Sequence, residues 1–195
     1  MADLLSAADV VDRDQYERIR NDFRRNIMQQ KRTRRVLLGT NCSAHFENRD
    51  IMRYQVLEML RCEGTWDDPS AVADELEAYN PLITQPDALS LTLMFEYPTE
   101  EERQSQLPKL VGIDRHVWLK VGDEPPIAGQ FDAGQIDEQK VSSVQFVKFP
   151  IDEPARERLA RDGTVVRLVI DHPHYQAQAV LGEETRRSIA ADLSA

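Results

Sequence analysis

The chain has 195 residues, 41% hydrophobic and 30% charged, the composition of a globular protein rather than a disordered or fibrous one. Its formal net charge of −10 argues against unspecific polyanion binding by the molecule as a whole. No stretch approaches the ~20 apolar residues of a membrane span, and Met1-Ala2-Asp3-Leu4-Leu5 lacks the basic and apolar regions of a secretory signal. Two cysteines, Cys42 and Cys62, are too few and too far apart for a disulfide scaffold, which points to two buried thiols in a reducing cytoplasm. The length suits one well-buried core, so a single domain over 1–195 is expected, with a split near residue 85 as the alternative.

Residues 14–35 read as a helix, with Asp12 or Asp14 as its cap. Tyr16, Ile19, Phe23 and Ile27 form a narrow apolar stripe at helical spacing. Between Arg18 and Arg35 lie eight basic residues and one acid, a local charge of +7 that leaves −17 on the remaining residues. Arg20, Arg24, Lys31 and Arg35 fall within about 60° of one another beside the stripe, and Arg18, Arg25 and Arg32 make a second row at heptad spacing.

Val36 to Glu47 suggests a short hairpin or irregular strand pair, followed by a helix over about 50–63 that Gly64 stops. In that helix Tyr54, Glu58 and Cys62 make a polar row, read as a solvated face. Pro69-Ser70 opens a third helix, which ends at Asn80-Pro81 because a residue before proline is pushed out of the helical region. From residue 89 the period changes. Leu89–Glu96 alternates as a strand with one solvated face, and Thr99-Glu100-Glu101-Glu102 is a capping box for a helix over 99–109. Further strands are expected at 116–121, 127–131, 141–149, 164–170 and 176–181, with helices at 152–161 and 183–193. The fold class is therefore α+β: a helical N-terminal lobe to about residue 85, then a mostly antiparallel sheet with helices on one face.

Three constellations offer chemistry. The arginine-rich helix, with Arg20, Arg24, Lys31 and Arg35, suits phosphate or an acidic partner, because guanidinium groups make forked, charge-assisted contacts. The competing reading is internal neutralisation by acids such as Glu47, Glu58 or Glu63. Nucleic-acid binding through this helix is a further alternative, weakened because Tyr16 and Phe23 are taken by the apolar stripe. The second constellation is Asp171-His172-Pro173-His174-Tyr175. Two histidines at i, i+2 on extended backbone face the same way, Asp171 supplies a carboxylate, and His45 or His116 would complete a metal site. A stiff turn with imidazoles bonded to backbone is the alternative there. Third, Cys62 beside Arg61 is a candidate for an activated thiol. Phosphate-loop, dinucleotide, nucleophile-elbow and zinc-ribbon signatures are absent, so substrate and cofactor stay open.

The blocks Lys31–Val36, Phe46-Glu47-Asn48, Tyr54–Arg61, Glu75–Asn80, Ser143–Phe146 and Asp171–Tyr175, in this order, resemble the bacterial family called domain of unknown function 3501. The resemblance implies a small cytoplasmic accessory protein, encoded near a rubrerythrin and an iron–sulfur oxidoreductase, with a role in oxidative-stress defence. It carries over no catalytic residue. The leading expectation is a non-enzymatic protein that docks on such a redox partner through the arginine rows. The rival is a metal- or small-ligand-dependent enzyme centred on His172 and His174, with His45 and Glu47.

Overall fold

The computed structural model describes residues 4–132 and 141–194, so Met1-Ala2-Asp3 lie outside them. The order of the larger elements is α1 (Arg13–Arg34), β1 (Arg35–Leu37), β2 (Cys42–Phe46), α2 (Arg49–Glu63), α3 (Pro69–Tyr79), β3 (Ala88–Phe95), α4 (Glu100–Gln106), β4 (Val117–Val121), β5 (Ile127–Ala128), β6 (Gln130–Phe131), β7 (Val144–Pro150), α5 (Glu153–Ala160), β8 (Val166–His172), β9 (Tyr175–Val180) and α6 (Glu183–Asp192). Local chemistry sets the helix ends. Asp12 caps α1 by accepting from the Gln15 amide, and Asn48 caps α2 by accepting from Ile51. Gly64, at φ 71°, ends α2 in the left-handed conformation that only glycine adopts without cost. Thr99 and Glu102 exchange the two bonds of a capping box at α4.

The α+β class holds, but the strands divide into two antiparallel sheets instead of one. The first has the order β1-β2-β3-β7-β6 and the second β5-β4-β8-β9. Their inner faces enclose one core, with Ala44, Leu91, Leu93, Val147 and Phe149 from the first sheet and Val117, Leu119, Val166 and Leu168 from the second. The chain passes from one sheet to the other between β5 and β6, across Gly129. A Cβ there would stand 2.7 Å from Val147 Cγ1 and 3.2 Å from the Val117 carbonyl, so the crossing needs a residue without one.

The N-terminal helices have their own apolar cluster, built from Tyr16, Ile27, Ile51, Leu57, Leu60 and Trp66 among others. It lies against the opposite face of the first sheet, which Phe146 joins to it. This corrects the expectation of a solvated face on the 89–96 strand. Ser90 and Thr92 are buried along with their apolar neighbours, because helices cover the second side of β3. The alternation is real, but it separates two interiors rather than inside from water.

Arg34 ties these layers together. It lies on the same line of α1 as Tyr16 and is 2% exposed. Its Nε donates to the Phe46 carbonyl and its Nη1 to Ser188 Oγ, while Nη2 pairs with Asp192 at the end of α6.

Candidate functional site

The cations of α1 separate into two populations. Arg20 donates twice to Glu58, at 2.7 Å each, and the Tyr16 hydroxyl donates to the same carboxylate. The bonds from Arg20 hold the Glu58 carboxyl below its usual range, against the upward push of burial. Arg35 pairs with Glu96 at 3.0 Å, and Lys31 lies over the Tyr54 ring at 5.8 Å. Internal neutralisation thus claims Arg20 and Arg35 of the predicted row. Arg24 remains exposed with no carboxylate partner among the described residues, as do Arg18 and Arg32. Arg25 meets only Asp22, one turn away on the same exposed surface. Asn21, Arg24, Arg25, Met28, Gln29 and Arg32 line one shallow concavity along the helix. Ile19, expected within the apolar stripe, is 41% exposed, leaving Tyr16, Phe23 and Ile27 to face the helical core.

The Tyr54, Glu58, Cys62 row is not the solvated face expected of it. Tyr54 is buried, Glu58 anchors the Arg20 and Tyr16 network, and only Cys62 is exposed. Arg61 is bonded to Glu17 at 2.8 Å. Of the two thiols expected to be buried, only Cys42 is, and burial pushes its pKa up.

The histidine segment forms a tight hairpin. His172 pairs with Tyr175 across β8 and β9, so Pro173 and His174 are the turn itself. His172 is buried and both its ring nitrogens are engaged: Nε2 with the Val111 carbonyl at 3.2 Å and Nδ1 with the His174 amide at 3.2 Å. The expected parallel projection of His172 and His174 gives way to backbone bonding, and burial lowers the His172 pKa. Asp171 accepts from Trp118 Nε1 and contacts His116 Nδ1, each at 3.0 Å. His45 belongs to β2 in the other sheet, with Nε2 3.0 Å from Ser43 Oγ. Among the described residues, no three His, Cys, Asp or Glu side chains converge as a metal site.

A different group converges beneath α1. Strand register aligns Arg35 with His45, and His45 with Thr92, in one row across the first sheet. Two residues further along, Glu47 and Met94 join the same face, since side chains alternate along a strand. Met28, Lys31 and Arg32 of α1 close over them, leaving a cleft of ≈ 400 Å³. Glu47 is 7% exposed, and its Oε1 accepts from Thr92 Oγ1 at 2.7 Å. Burial pushes its pKa up, against the Thr92 bond and the charges of Lys31 and Arg34. Burial also lowers the His45 pKa, helped by the charge of Arg35. The sequence offered Glu47 only as a counter-charge or a companion to His45. Ser90 and Thr92 mark this face of β3 in the sequence, but their alternation alone does not say that helices cover it.

A family model described as protein of unknown function (DUF3501) matches residues 4–193. The chain belongs to that family. The family is the one that the ordered sequence blocks resemble. A crystal structure described as a novel protein of unknown function from Burkholderia pseudomallei K96243 is 30% identical. It superposes with a TM-score of 0.89, over 96% of this chain and 98% of the other. No curated protein matches the chain. Among the described residues, no helix is long and apolar enough to cross a membrane.

Proposed function

We propose that the protein is a cytoplasmic accessory protein that docks an acidic protein surface against the outer face of α1. The observation that supports this is the division of its cations. Arg20, Arg34 and Arg35 are committed to Glu58, Asp192 and Glu96. Arg18, Arg24 and Arg32 stay exposed on a molecule of net charge −10, with no carboxylate partner among the described residues. Exposed like charges clustered on one helix repel one another, and an acidic partner relieves that repulsion and speeds encounter. The family resemblance suggests the partner class, a rubrerythrin or an iron–sulfur oxidoreductase acting in oxidative-stress defence.

The test is a titration of the full chain against a rubrerythrin and an iron–sulfur oxidoreductase. Association is expected at about 0.05 M salt and should weaken sharply by about 0.5 M. Charge reversal at Arg18, Arg24 and Arg25 should abolish it, while reversal of Glu96, the partner of Arg35, should not. No association at low salt, association that survives the triple reversal, or tighter binding to single-stranded RNA than to either protein would each sink the proposal.

A further inference from the structure

The cleft under α1 shares only Arg32 with the outer docking face, and its composition is unusual for a structural filler. Glu47 is almost completely buried at its floor, yet only one of its two carboxyl oxygens is satisfied. Oε2 has no hydrogen-bond partner among the described residues, and it is not sealed off from solvent either. Glu47 lines the cleft, and Oε2 is the oxygen that Thr92 leaves free for a ligand or water there. With no protein donor, that acceptor relies on water or a ligand for its hydrogen bond.

The remaining walls define what would fit. Lys31 and Arg32 place two cations at the cleft, beside Arg35, whose charge is paired with Glu96, and against the carboxylate of Glu47. Met28 and Met94 supply apolar, adaptable surface between them. Thr92 fixes the orientation of Glu47 and sits opposite His45 in the strand register. The site therefore has a cationic rim, an apolar waist and a hydrogen-bond acceptor at its base, within the size range of small-molecule pockets.

From this arrangement we infer that the cleft binds a small carboxylic acid carrying an amine or hydroxyl group. The carboxylate meets Lys31 and Arg32 at the rim, and the amine or hydroxyl donates to Glu47 Oε2. A carboxylic acid without that donor displaces water from Oε2 and gives no hydrogen bond in return, so the site discriminates against it. The inference does not depend on docking through the outer face, because Arg18, Arg24 and Arg25 are outside the cleft and Glu47 and Lys31 line it.

Three four-carbon dicarboxylates of similar size separate the possibilities: aspartate with an amine, malate with a hydroxyl, succinate with neither. Calorimetric titration of the full chain should show aspartate or malate binding at least about tenfold more tightly than succinate; whichever of the two wins identifies the donor. Glu47→Gln keeps the acceptor for Thr92 and removes the charge, and should shrink the preference for aspartate over succinate to less than about threefold. Lys31→Ala should weaken all binding ligands by about tenfold, with both variants checked for an unchanged thermal melt profile and circular dichroism. The inference is overturned if none of the three acids binds, if succinate binds as well as the other two, or if Lys31→Ala leaves affinity unchanged.

Discussion

Replacing Arg34 by methionine isolates the contact that joins the two ends of the described chain. The guanidinium is 2% exposed and serves three acceptors: the Phe46 carbonyl, Ser188 Oγ and the Asp192 carboxylate. Methionine fills much of the volume but donates nothing, so a mostly buried carboxylate and a buried carbonyl lose their partner together. Breaking a buried ion pair on one side costs about 3–5 kcal/mol, and a protein of this size loses roughly 2–4 °C per kcal/mol. The melting temperature of Arg34→Met should therefore fall by roughly 6–20 °C. The double variant Arg34→Met, Asp192→Leu removes the stranded charge as well. It should recover at least ~1.5 kcal/mol relative to the single variant. Urea and thermal denaturation of both proteins at neutral pH supply the numbers. A loss below ~1 kcal/mol for the single variant, or a double variant that is no more stable, would refute the assignment of Arg34 as a paired, buried anchor.

The Arg20 and Glu58 pair makes a pH-dependent contribution. Because the folded-state carboxyl lies below its unfolded value, its stabilisation is present above the unfolded pKa and disappears as pH falls through the folded one. Glu58→Gln should cost ~1–2 kcal/mol at pH 7 and narrow the stability difference between neutral and acidic solution, as measured by urea midpoints. Gly129→Ala forces a Cβ against Val147 and the Val117 carbonyl, and should cost ~1–3 kcal/mol in the same assay; a neutral result would mean the sheet crossing is looser than drawn. Thiol titration of the native protein should label one cysteine quickly, the exposed Cys62, and reach Cys42 only on unfolding. Rapid labelling of both would contradict the burial of β2.

Elements with strong local signals were readable in advance. Asp12, Asn48 and the Thr99–Glu102 box announce helix starts through side-chain bonds that operate within a single turn. What escaped depends on neighbours distant in sequence. Ser90 and Thr92 look solvated because alternation reports only that two faces differ, not what covers the second. The division into two sheets turns on Gly129, whose role becomes visible only when Val147 and Val117 are placed around it. The same holds for the sites. Charge clustering located the arginine helix, but separating Arg24 from Arg20 required knowing where Glu58 falls. His172 and His174 carried the residue types of a metal site, and backbone partners contributed by Val111 and the turn took up the ring of His172.

The Arg34 contact also has an order in time. Its two partners on α6, Ser188 and Asp192, lie 154 and 158 residues further along the chain. At about 5–20 residues per second, a ribosome needs roughly 8–30 s to deliver them after Arg34 has been made. During that interval the last residue of α1 carries a guanidinium without its carboxylate. The contacts between the end of α1 and α6 are therefore among the latest that the growing chain can make.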